Sequence, residues 1–130
     1  SAMFQSSNFN QNISSWNVSN VESLNFMFGN ATGFNQDISN WDVSNVTEMF
    51  YMFGYTSFDQ DLSSWDVSNV SNMADMFVGS ELSIENYDKT LIGWSKLPNL
   101  QSDVKLGTTQ NYRYLWLGYY GRRSKLSIRL

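Results

Sequence analysis

Phe34-Asn-Gln-Asp-Ile-Ser-Asn-Trp-Asp-Val-Ser-Asn-Val46 is the stretch on which the fold turns. The same thirteen positions precede it at Phe9 to Val21 and follow it at Phe58 to Val70. Phe9, Phe34 and Phe58 recur 25 and then 24 residues apart, as do Trp16, Trp41 and Trp65. A fixed period in this range marks a stack of coils, because one coil cannot bury its own apolar side and successive coils share a core. Alignment picks out the core positions. Ile13, Ile38 and Leu62 stay aliphatic. Val18, Val43 and Val67 never change, nor do Val21, Val46 and Val70. Leu24, Met49 and Met73 are apolar. Met27-Phe28, Met52-Phe53 and Met76-Phe77 close each unit, and Met3-Phe4 stand at the same place one coil earlier.

Two spacings coexist in a coil. Trp41-Asp42-Val43 alternates, which predicts a short strand. Val46, Met49, Met52 and Phe53 follow helical spacing, which predicts a helix of about two turns. Asn45 would cap it, with Glu48 as a capping-box partner. Gly29, Gly54 and Gly79 fit left-handed residues at the helix ends.

The Ile-x-x-Trp-x-Val spacing resembles the strand of leucine-rich repeats. The whole unit, with Met27-Phe28, Phe34 to Ser39 and Trp41 to Val46, is similar to the BspA-like repeat family of bacterial surface proteins over roughly residues 3–79. That resemblance implies an α/β solenoid: a leucine-rich-repeat-like right-handed coil of short parallel strands and short helices. It also implies an extracellular, cell-surface setting and a role in adhesion. On this reading, residues 1–79 are three repeat coils plus a partial one. Residues 80–130 are a C-terminal helix-plus-strand cap, packed with the coils as one domain. Ser83 caps a predicted helix over about 84–97, Pro98 follows its end, Asp103 to Thr108 is a strand and Gly107 a turn. The run from Asn86 to Leu97 resembles the segment that closes the family's arrays. Tyr112–Leu117 and Lys125–Leu130 depart from that pattern and predict a hairpin.

Composition narrows the chemistry. The 130 residues include no cysteine and no histidine, so disulfides, thiolate metal sites and the commonest general base are excluded. No apolar run reaches transmembrane length and no secretory leader is read. Ser1-Ala2 has the look of an expression remnant, so a piece of a longer protein is expected. The net charge of −4 hides an asymmetry: every acidic residue but Asp103 precedes Lys89, and all eight basic residues lie from Lys89 onward. The expectation is that the basic segment folds back on the acidic coils.

The aligned Asn17, Asp42 and Asp66 should face outward, flanked by Ser15, Asn40 and Ser64 and by Ser19, Ser44 and Ser68. This row is the candidate ligand-binding face, the concave sheet of the resemblance, for a surface protein or glycan of a host or neighbouring cell. A second row, Asn12, Asp37 and Asp61 beside Asn10, Asn35 and Asp59, raises calcium, but the loop motifs that hold it are absent and such residues usually bond their own turns. Asn20, Asn45, Asn69, Gln11, Gln36 and Gln60 are read as internal amide ladders. Basic and aromatic residues mix in the tail, yet a pI near 4.5 opposes nucleic acid. Carboxylates that repeat coil by coil are scaffold positions, so no enzyme is expected, and no metal or cofactor. A structural spacer is the competing expectation, and the ends of the stack are surfaces for self-association.

Overall fold

The computed structural model describes residues 2–107 and 126–129. Its elements are one α-helix, α1 (Ile84–Ser95), and two short strands, β1 (Val104–Gly107) and β2 (Leu126–Arg129). The α/β solenoid expectation is thereby corrected. Among the described residues, no helix lies within the repeats, and their only strand-like pairings are the isolated bridges Ser23 to Glu48 and Glu48 to Asn72.

The coils are strings of turns, and their hydrogen bonds show why. The Trp41 and Val46 amides bond back to Ile38 and Val43 at 3.0 and 2.9 Å. Each bond spans three residues and closes a β-turn. The apolar alternation of the expected strand is thus a pair of adjoining corners that turn Ile38, Trp41, Val43 and Val46 inward.

The expected helix dissolves in another way. Amides in that segment take partners alternately. Phe26, Phe28 and Asn30 donate to Phe50, Met52 and Gly54 of the next coil at 2.8–3.0 Å. Met27, Gly29 and Ala31 donate three residues back within their own coil at 2.8–3.1 Å. Two left-handed residues four apart recur in every copy: Ala2 and Ser6, Phe26 and Asn30, Tyr51 and Tyr55, Asp75 and Gly79. A two-turn helix carries a nucleation cost and leaves its terminal groups unmatched. Stacked turns satisfy these donors while burying the same Leu24, Met27 and Phe28, or Met49, Met52 and Phe53.

Aromatic rings form the spine. Phe28, at the end of its unit, stacks on Phe34 at the start of the next at 3.8 Å, and Phe53 likewise on Phe58 at 3.9 Å. Between coils, Phe4, Phe28, Phe53 and Phe77 follow one another at 5.7–5.8 Å. Phe9, Phe34 and Phe58 make a second column at 6.1–6.2 Å. Each contact adds about 0.5–1.5 kcal/mol beyond burial.

The tryptophans tie the coils together. Trp41 Nε1 donates to the Ile13 carbonyl and Trp65 Nε1 to the Ile38 carbonyl, both at 3.0 Å. Trp16 is the corresponding residue of the first coil and is 41% exposed, so the three tryptophans do not share one environment. It lies at the open end of the stack with Met3, which is 67% exposed.

At the other end α1 takes the place of a coil. Ser83 accepts from the Asn86 amide as N-cap. Trp94 Nε1 donates to the Leu62 carbonyl at 2.9 Å, which is the next tryptophan rung. Asn86 Nδ2 bonds Asp59 as Gln60 Nε2 bonds Asn35. Gln101 Nε2 reaches the Ser68 carbonyl as Asn69 reaches Ser44. A helix thus supplies donors in the pattern that a coil would. Gly93 permits the approach: a Cβ there would lie 2.5 Å from the Ser63 carbonyl oxygen.

Beyond α1, β1 and β2 pair in parallel, Val104 with Leu126 through Gly107 with Arg129. Gly107 therefore ends a strand, contrary to the expected turn. Leu126–Arg129 has β1 as its partner, in parallel. The other arm of the expected hairpin, Tyr112–Leu117, lies outside the described residues.

Candidate functional site

Asn17, Asp42 and Asp66 are all exposed and occupy matching corners of successive coils. They flank no sheet, so the concave sheet expected from the resemblance is corrected to a row of turns. In each copy the side-chain Oδ1 accepts the amide of the serine two residues on, at 3.0–3.1 Å. It also accepts that serine's hydroxyl at 2.5–2.6 Å. Ser19, Ser44 and Ser68 are therefore partners of the row and lock it. The Ser44 hydroxyl and amide hold the Asp42 carboxyl below the usual carboxylate range.

The other flank is used between coils. Asn40 Nδ2 donates to the Ser14 carbonyl at 2.9 Å and Ser64 Oγ to the Ser39 carbonyl at 2.9 Å. Ser15 is exposed at the aligned position in the first coil. All nine expected residues thus lie in register on the surface, and most of their polar atoms are already engaged in building it.

The second row does similar work. Asn12, Asp37 and Asp61 accept from the Ser14, Ser39 and Ser63 amides at 2.8–2.9 Å. Asn10, Asn35 and Asp59 accept from the next coil's Asn35, Asp59 and Ser83 amides at 2.8–3.0 Å. Burial pushes Asp59 up, but the Ser83 amide and the side chains of Asn86 and Ser83 outweigh it and hold the carboxyl below its ordinary value. Among the described residues no group of three or more Asp, Glu, His or Cys is placed to hold a metal ion. A shallow pocket of about 390 Å³ lies between these coils, lined by Asn12, Ser14, Gln36, Asp37, Ser39 and Asn40. The amide ladders are present as expected: Gln36 to Asn10, Asn45 to Ser19 and Asn69 to Ser44. Asn45 caps no helix, and Glu48 accepts from Asn72 Nδ2 at 3.0 Å. Among the described residues no helix is long and apolar enough to cross a membrane.

An aromatic group on another part of the coils was not anticipated. Phe26, Phe50, Tyr51 and Tyr55 form a chain of rings with centroids 5.0–6.2 Å apart. Tyr55 is 51% exposed. The glycines expected at helix ends are the seats of these rings. A Cβ on Gly29 or Gly54 would come within 2.9 or 2.7 Å of the Tyr51 ring, and one on Gly79 within 2.6 Å of Tyr55. Only Gly79 of the three has a positive φ. Desolvation, then Tyr55 and Asp75 nearby, push the Tyr51 hydroxyl up, against the pull of its bond to Asn30. One signal could have found the group: Tyr51 and Tyr55 stand where the third coil has Asp75 and Gly79.

The sequence matches the family described as "Mycoplasma protein of unknown function, DUF285" over residues 1–90. No curated protein and no solved structure matches the chain.

Proposed function

The chain belongs to the DUF285 family, and on that premise we propose that it is a non-enzymatic repeat module of a BspA-like surface protein, working outside the cell in adhesion. In this reading it binds a basic segment of a protein on a host or neighbouring cell. The observation that carries the reading is the row Asn17, Asp42 and Asp66, exposed and pinned in one geometry in three successive coils. No lysine or arginine precedes Lys89 in the sequence, so the coils carry no cation of their own. A fixed row of charge has lost its side-chain freedom in advance, which lowers the cost of binding. It also steers an oppositely charged partner during encounter.

The test separates charge from shape. Asp42→Asn with Asp66→Asn keeps the turns, because Asn17 already makes them with a neutral amide. On arrays of host surface proteins and glycans, the wild type should show salt-sensitive binding that the double variant weakens about tenfold at an unchanged melting temperature. The second reading is a spacer with no ligand of its own. It is favoured by the engagement of each row residue within its own coil. Arrays on which the wild type binds nothing would establish it.

A further inference from the structure

We propose that Tyr51 and Tyr55, with Asp75, form a site for an arginine side chain of a partner protein. The proposal rests on the reading of this chain as a binding module, but not on the acidic row, which stands elsewhere on the coils. Three features converge. The two rings lie against bare backbone, Tyr51 over Gly29 and Gly54 and Tyr55 over Gly79. Backbone occupies one side of each ring, and Tyr55 still keeps 51% of its surface open. Both tyrosines are held at φ of 54–56°, a conformation that bulky residues seldom adopt, so neighbouring coils fix where the rings stand.

Charge chooses the ligand. The face of a tyrosine ring is negative and attracts a cation lying over it. Asp75 occupies the position of Tyr51 one coil on, again at positive φ, and is exposed. No lysine or arginine precedes Lys89, so the coils provide no cation of their own to fill the place. Arginine suits the site better than lysine. Its guanidinium is flat, weakly hydrated and stacks on aromatic rings while its donors reach a carboxylate. A neutral sugar could also stack on these rings, but it would leave the acidic surroundings unanswered.

The experiment uses the whole chain and a labelled peptide of three arginines spaced by Gly-Ser, with a citrulline peptide as neutral control. Affinity is read by anisotropy, and stacking by the upfield ring-current shift of the arginine δ-protons. Tyr55→Asn places there the residue found at Asn30, which adopts the same φ, so the fold should survive and a melting curve checks it. We expect Tyr55→Asn and Tyr51→Asn to weaken binding about fivefold and abolish the δ-proton shift. Asp75→Asn should cost about threefold, and the citrulline peptide should not bind. Loss of array binding in the row variant with the arginine shift retained would leave this site standing. Row-dependent array binding without the arginine shift would overturn this site and spare the row. Equal binding by the Tyr55→Asn variant, or a glucose hexasaccharide perturbing the tyrosine resonances where the arginine peptide does not, would refute it as well.

Discussion

Replacing each of three tryptophans by phenylalanine tests whether the coils share one repeating contact. Trp65 is 1% exposed and its indole N–H bonds the Ile38 carbonyl. That carbonyl also accepts the Trp41 amide at 3.0 Å, so Trp65→Phe leaves it one of its two partners. The lost bond is then an ordinary one, about 0.5–1.5 kcal/mol. The volume once filled by the indole adds a cavity cost of about 1–2 kcal/mol. The sum is about 1.5–3.5 kcal/mol for Trp65→Phe, with a similar value for Trp41→Phe, whose environment matches. Trp16 is 41% exposed and lies at the open end. Trp16→Phe should cost under about 0.5 kcal/mol, as surface changes do. Urea titration with a common m-value is the assay, and each kcal/mol should move the melting temperature by about 4 °C. A Trp16→Phe loss equal to that of Trp65→Phe would refute the reasoning.

Three further outcomes follow from particular contacts. Gly93→Ala should gain about 1 kcal/mol of helix propensity yet lose more, because its Cβ would strike the Ser63 backbone; a net gain in urea stability would show that α1 stands off the coil. Gly54→Ala should destabilise by about 1–2 kcal/mol by displacing the Tyr51 ring, and much less in a Tyr51→Ala background, which a double-mutant cycle measures. Asp59 has a folded pKa below its unfolded value near 3.9. Its stabilisation is therefore complete above that unfolded value and lost as pH falls through the folded one. Asp59→Asn, the residue at the equivalent Asn35, should flatten the acid limb of stability against pH.

The buried positions were legible from the repeat, because aligned copies separate residues that must stay apolar from those that vary. Ile38, Val43, Met52 and Phe53 all lie in the core. The backbone that carries them was not. Helical spacing at Met49, Met52 and Phe53 is shared by any path that turns inward every three to four residues. The left-handed residues that distinguish turns from helix are Phe26, Tyr51 and Asp75, which carry no glycine signal. Gly29 and Gly54 misled for a related reason: their missing side chains serve neighbouring rings, and only distance shows that. The acidic row could be located from alignment, but its bonds to Ser19, Ser44 and Ser68 belong to turn geometry. Trp16 matched its siblings in sequence and differs from them only by having no coil against its outer side.

Hydrogen exchange of the indole N–H groups, read by NMR, tests most directly whether α1 completes the same ladder as the coils. Trp41, Trp65 and Trp94 should exchange slowly, at rates set by global unfolding, while Trp16 exchanges quickly. A Trp94 indole that exchanges as fast as that of Trp16, with Trp41 and Trp65 still slow, would contradict it.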